Sequence, residues 1–311
     1  MEASQSTQSQ RPPVDLAIIV VAFNSAADLP GLLDSLSPAV DGLSWHLVLV
    51  DNSSDPALPG LVESDSRVSL LDTGANLGYS GGLNYGIDHA PPSRWTVFLN
   101  PDLTLHPHAL ARLAAACGTG RTAASVPLVT DEYGTPQPSL RREPTALRSL
   151  GEALFGDHWP TRPAFLAEMV RGVEHYQRPC AVDWATGAAL VVHSDIVAAI
   201  GPWDSTRFFL YSEETDYSRR IRNSGREIVF TPDAVVSHRG SGSGSSRDLD
   251  ALLAVNKLRY FRKWHGLAAS IVFAAVAVIH NLLRLERPES RHSLRAFVSA
   301  PTRSALPGGG A

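Results

Sequence analysis

Eight consecutive apolar residues, LAIIVVAF at 16–23, stand between Asp15 and Asn24 and leave little choice of fold. A run without polar alternation reads as a strand buried on both faces, and such strands belong to parallel sheets covered by helices. Residues 25–36 follow with Leu29, Leu32, Leu33 and Leu36, a helical stripe. HLVLV (46–50), VSLL (68–71), TVFL (96–99) and SVPLV (125–129) read as further strands, with helices expected near 57–64, 80–89 and 107–116. Strand–helix alternation at this spacing predicts an α/β fold, a mostly parallel sheet with flanking helices. Ligands of such sheets sit beyond the carboxyl ends of the strands. There the chain carries Asn24, Asp51 with Asn52, and Asn100 with Asp102, groups able to hold a nucleotide or a metal.

From Tyr133 to Pro179 the pattern breaks, with six prolines between 136 and 179, as expected of a segment covering a substrate. Regularity resumes with AALVVH (188–193), a helix near 214–223 and EIVF (227–230). The Gly- and Ser-rich stretch 239–247 reads as a mobile loop.

Charge and cysteine usage exclude several classes. A net charge of −4 argues against a nucleic-acid binder. Cys117 and Cys180 are far apart and outside any CxxC, so neither a zinc site nor a disulfide framework is expected, and a reducing cytosol is the plain reading. Residues 1–14 lack an apolar run and read as a disordered tail. From Lys257 to Arg303 nine Lys and Arg face two acids, Glu286 and Glu289. Inside that basic segment GLAASIVFAAVAVI (266–279) has fourteen apolar or small residues, short of the roughly 20 that span a bilayer. It suits attachment to an anionic membrane surface, or else burial against the catalytic domain. The expected organisation is therefore a catalytic domain at 15–248, with a nucleotide-binding half at about 15–130 and an acceptor half at about 131–248. C-terminal helices at 249–285 and a basic, largely disordered tail at 286–311 follow. Nothing in the sequence sets the oligomeric state.

Three constellations carry chemistry. Asp102 in FLNPD is a carboxylate just past a buried strand, suited to a hard divalent cation, although Asn-Pro-Asp also makes ordinary turns. YSEETDYSRR (211–220) places Glu213, Glu214, Asp216, Arg219 and Arg220 within eight positions. Acids leading a helix complement its dipole, and one of them can also serve as a general base. His238 ends an apolar stretch before Ser and Gly residues able to approach phosphate, and with Asp102 and a diphosphate it would favour Mn2+ or Mg2+. NLGYSGGLNYGI (76–87) is not GxGxxG, and no Walker loop or GxSxG is present. Gly81 and Gly82 at a helix start would let backbone amides approach a ligand, or would only permit a tight helix start.

Taken in order, VVAFNS, VDNSS, NLGYSGGLNYGI, FLNPD, WATGAALVV, GPWDSTRFFLYSEETDYSRRIR and VVSHRGSGS resemble family 2 glycosyltransferases, specifically the bacterial rhamnosyltransferase-like branch. The resemblance covers about residues 15–245. It implies a GT-A nucleotide-diphospho-sugar transferase fold. Asn24, Asp51, Asn76, Gly81, Gly82, Asn84 and Asn100 would lie on the donor. Asp102, standing in FLNPD for the family's DxD motif, and His238 would lie on the metal. SEETD matches the family's acidic motif, which makes Glu214 the base, with Asp216 as second choice because Asp is commoner where Glu214 stands. Asn100 likewise replaces an Asp. Trp184, Trp203, Asp204 and Glu213 are expected at the acceptor. The implied reaction is inverting transfer, with L-rhamnose from dTDP-L-rhamnose the first expectation and UDP-galactofuranose or a UDP-hexose the alternatives. A lipid-linked or polysaccharide acceptor of the cell envelope would receive the sugar, peripherally on the inner face of the membrane. A degenerate sugar-nucleotide-binding module is the competing class. A nucleotidyltransferase is disfavoured because no Gly-rich, Arg/Lys-bearing loop follows LAIIVVAFN.

Overall fold

The structure is a computed structural model that describes residues 12–118, 121–156, 158–239 and 246–309. Most of the expected N-terminal tail (1–11) and of the Gly/Ser loop (240–245) lies outside the described residues.

In chain order the first half holds β1 (Val14–Ala22), α1 (Leu29–Val40), β2 (Trp45–Asp51), α2 (Leu58–Val62), β3 (Val68–Asp72), α3 (Gly78–His89), β4 (Ser93–Leu99), β5 (Leu103–Leu105), α4 (Ala109–Ala116) and β6 (Thr122–Thr130). The second half holds β7 (Leu140–Arg141), α5 (Ala146–Leu154), β8 (Cys180–Val182), β9 (Trp184–Ala185), β10 (Ala189–His193), α6 (Ser194–Ile200), α7 (Glu213–Asn223), β11 (Glu227–His238), α8 (Arg247–Trp264), α9 (Leu267–Leu282), α10 (Pro288–Val298) and α11 (Ala300–Ser304).

The main sheet runs β3-β2-β1-β4-β10-β6-β11-β5, with β8 on β11. It is parallel from β3 to β4, as the aliphatic runs require, and mixed beyond, because β10 is antiparallel to both β4 and β6. Its two faces are both apolar. On one, Leu16, Ile18 and Val20 of β1 pack with Leu29, Leu32 and Leu36 of α1. On the other, Ile19 and Val21 join Leu83 of α3, Trp203 and Tyr217 of α7. Register sets the site: Ala22 lies beside Asp51 and Val20 beside Leu99, so the residues following these strands emerge on one edge.

The segment 133–179 is less irregular than expected, since α5 forms there and packs on α9. The tail expected to be disordered from 286 is corrected as well. Residues 288–304 form α10 and α11, and α10 packs on α8 through the small buried residues Ser290, Ser293 and Ala296. Such small residues let two helices approach closely while giving no hydrophobic stripe to read. Among the described residues, no helix is long and apolar enough to cross a membrane.

Candidate active site

A cavity of about 1400 Å3 opens at the carboxyl edge of the parallel strands and receives Asn24, Asn52, Asn76, Asn100, Asp102 and His238. Asp102 and His238 meet because β5 pairs antiparallel with β11, putting Leu103 opposite His238. Asp102 Oδ1 lies 3.1 Å from His238 Nε2. Burial alone would raise the Asp102 carboxyl, but the hydrogen bond and charge of His238 outweigh it and hold the group below the usual carboxylate range. One carboxylate and one imidazole suit Mn2+ or Mg2+ if a diphosphate supplies the remaining oxygens. Among the described residues no group of three or more His, Cys, Asp or Glu could hold an ion without such help.

The donor-side expectations divide. Asn24, Asn76 and Asn100 line the cavity, and the Asn76 side chain accepts from Gly78 N at 2.9 Å. Asp51 is buried one residue short of it, accepting from Ser53 N (2.9 Å) and Asp55 N (2.7 Å), and so shapes the loop that presents Asn52. Asn84 is committed to a reciprocal pair with the Trp203 backbone at 2.8 and 2.9 Å. Gly81 and Gly82 serve close packing: a Cβ on Gly82 would come 2.7 Å from Val21. Gly78, with φ +72°, is needed where α3 starts, because a Cβ there would collide with the Phe209 carbonyl. That same carbonyl accepts from Tyr79 N at 2.8 Å.

The other wall is the start of α7. Tyr211 and Ser212 both have left-handed backbones, φ +70° and +69°, a strain on the order of 1 kcal/mol each that marks positions fixed by their surroundings. The turn aims Glu213 and Glu214 into the cavity, and one oxygen of each has no hydrogen-bond partner. Burial, then the charge of Glu214, pushes the Glu213 carboxyl well up. Burial also raises Glu214, while Arg141 and Lys257 pull it back. Tyr79 sits within electrostatic reach of Glu213, Glu214 and Asp102, and its hydroxyl donates to Asn100 Oδ1 at 3.1 Å.

Asp216 is fully buried and points away from the cavity, into a cluster with Lys263 Nζ (2.7 Å), Trp264 Nε1 (2.8 Å) and Arg220 Nε (3.1 Å). Trp203 is core, stacked on Tyr217 with centroids 3.9 Å apart. Asp204 is held by Lys263 and Arg207; burial raises its carboxyl, but these partners and Thr206 bring it down to about 2. Of the four residues expected at the acceptor, Trp184 and Glu213 line the cavity, and Trp203 and Asp204 do not. Asn52, read from the sequence beside Asp51, takes the place at the cavity expected of Asp51, while sequence reasoning missed Tyr79 although it lies in a motif already singled out. It also missed Arg141 and Lys257, which sit in an irregular stretch and in a helix read for its charge alone.

The family model for Glycosyl transferase family 2 matches residues 17–173. The N-acetylglucosaminyl-diphospho-decaprenol L-rhamnosyltransferase of Mycobacterium tuberculosis is 32% identical over 257 residues, covering 79% of this chain and 82% of that one. The chain belongs to glycosyltransferase family 2. Solved structures give it a GT-A fold. GalNAc-T7 with UDP, GalNAc and Mn2+ superposes with a TM-score of 0.61 at 16% identity, over 91% of this chain and 54% of that longer one. A mannosyltransferase of Pyrobaculum calidifontis in complex with GDP-Man and Mn2+ gives 0.56 at 15% identity, over 96% and 78%. This family 2 chain is thus a glycosyltransferase, and the cavity at its strand ends lies where α/β folds bind nucleotides.

Proposed function

We propose that the chain is an inverting glycosyltransferase that moves L-rhamnose from dTDP-L-rhamnose onto a lipid-linked acceptor. The observation that carries this reading is the meeting of two unlike pairs in one cavity: Asp102 with His238, and Glu213 with Glu214. The first suits a diphosphate leaving group and the second an acceptor hydroxyl. Identity to a rhamnosyltransferase whose name specifies a diphospho-decaprenol acceptor supports the choice of sugar and acceptor.

Asp102 and His238 would hold a divalent cation, Mn2+ or Mg2+, which would supply positive charge to a diphosphate leaving group. Glu214 takes the proton of the acceptor hydroxyl as that oxygen attacks C1 of the donor sugar. The bond from C1 to the diphosphate oxygen breaks on the opposite face, so the anomeric centre inverts and dTDP leaves with the bonding pair. Asn24, Asn52, Asn76 and Asn100 orient the donor, Tyr79 holds Asn100, and Trp184 offers an aromatic wall to the acceptor sugar. A base must be ionised to act, so the rate falls on acidification below the raised Glu214 pKa.

The decisive assay incubates the protein and Mn2+ or Mg2+ with a panel of nucleotide sugars and a prenyl-diphosphate N-acetylglucosaminide. It reads the nucleotide diphosphate released and the anomeric configuration of the product. Release of dTDP from dTDP-β-L-rhamnose with an α-linked product is expected, and retained configuration or exclusive use of a UDP-sugar would overturn that part. Glu214→Gln should lower kcat by about 10²–10⁴-fold with donor affinity kept. A fully active Gln variant would remove Glu214 from the role.

A further inference from the structure

The cavity does not stop at the acids. Beyond Glu214 it continues between α5 and the C-terminal helices, where α8 presents Leu253, Ala254 and Lys257 and α9 presents Phe273, Val276 and His280. Arg284 and Arg287 line the same extension. Their charges are poorly compensated. Among the described residues Lys257 has no ion-pair partner, and the Arg284 guanidinium donates to the backbone carbonyls of Ala153, His280 and Glu152. Among the described residues Arg287 pairs only with the exposed Glu286, at 3.9 Å. Of the acids on this side, Glu152 is engaged by Arg162, and Glu168 lines the wall it shares with Lys257 with no ion pair between them among the described residues. Asp250 and Glu289 also line the extension; Asp250 is two helical turns or roughly 10 Å from Lys257 along α8, and Glu289 stands in the first turn of α10. His280 registers the excess: burial, then Arg284 and Lys257, push its imidazole down to about 4.

Cations beside apolar walls are a poor match for a neutral polysaccharide and a good one for a phosphorylated lipid. Lys257 lines the cavity together with Glu214 and with Arg284 and Arg287, and its charge bears on both Glu214 and His280. Outside, α9 exposes Leu267, Ile271, Ile279 and Leu282, spaced as one helical stripe. Resting on the reading of the chain as a transferase with a lipid-linked acceptor, we infer that this extension is the acceptor's diphosphate subsite. Lys257, Arg284 and Arg287 take the diphosphate, and the hydrocarbon chain follows the apolar wall of Leu253, Phe273 and Val276.

Farnesyl diphosphate, which carries no sugar, is the probe. Isothermal titration of the full chain without divalent ions should show it binding at least tenfold more tightly than farnesol. The double variant Lys257→Gln/Arg287→Gln, whose replaced side chains make no hydrogen bonds among the described residues, should lose that tenfold. Excess dTDP should leave the affinity unchanged, because the donor lies at the other end of the cavity. Equal binding of farnesol, an unaffected double variant, or displacement by dTDP would each overturn the assignment. Retained, variant-sensitive binding in a protein that turns over no nucleotide sugar would defeat the transferase reading and leave this subsite standing.

Discussion

Glu213 and Glu214 stand next to each other on a strained turn, and the charge of one bears on the other. For Glu213 the folded pKa lies above that of an unfolded glutamate, about 4.3, so the native state holds more protons than the unfolded chain. Stability contributed this way is complete at low pH and is lost as pH rises toward the folded pKa. Glu213→Gln should therefore raise Tm at pH 8 by several degrees, since about 1 kcal/mol corresponds to 2–4 °C in a domain somewhat smaller than this, and should change it little at pH 4. Thermal denaturation followed at both pH values checks this, and a variant less stable than wild type at pH 8 would contradict it. Residue by residue, legibility followed periodicity. Asp102 and His238 were visible as polar residues ending apolar runs, because strand ends in this fold class converge. Asp216 was not separable from its neighbours, since two positions along a helix decide whether a carboxylate faces a cavity or Lys263, and nothing local to SEETD encodes Lys263.

α8 is fastened to α7 twice. Asp216 of α7 meets Lys263 and Trp264 of α8, and Glu143 accepts from Arg219, Arg222 and the Tyr260 hydroxyl. Removing Lys263 takes one cation from buried Asp216, which keeps Arg220, and from Asp204, which keeps Arg207, so the cost is smaller than that of a fully unpaired buried charge. Lys263→Met should destabilise the protein by about 1–2 kcal/mol, read from urea denaturation, and pairing it with Asp216→Asn should restore part of the loss. No recovery in the double variant would show that Lys263 acts through something other than Asp216. Elements with long apolar runs or clear stripes were readable, β1, β2, β4, α1 and α4 among them. The antiparallel direction of β10 was not, because AALVVH reads the same whichever way it pairs. α10 was missed for a related reason: it docks through Ser290, Ser293 and Ala296, residues too small to mark a face, whereas α5 carries a readable stripe of Leu147, Leu150 and Leu154 inside a proline-rich stretch that was read as irregular.

At the scale of the whole molecule, a basic C-terminal region carries an apolar stripe that the fold leaves uncovered, with Leu267 73% and Ile271 60% exposed. Of the two sequence readings of 266–279, burial is met in part, since Phe273 and Val276 pack inward, while the outward stripe leaves membrane attachment as a proposal. A helix of this kind, next to Arg284, Arg287 and Arg291, is suited to the surface of an anionic bilayer. Ile271→Ser with Leu282→Ser should weaken sedimentation with phosphatidylglycerol vesicles by about tenfold, each lost side chain forfeiting part of the 1.5–3 kcal/mol of full burial. Unchanged sedimentation would place the contact elsewhere. The stretch from Trp203 to Ser212 runs through all of these parts. Asn84 grips Trp203, Tyr79 grips Phe209, Lys263 grips Asp204, and Asn256 donates to the Leu210 carbonyl at 2.8 Å. One short segment thus splices the donor helix, the acid helix and the C-terminal helices together. Substitutions within it will shift the kinetic constants of both substrates at once, and their effects will fail to add.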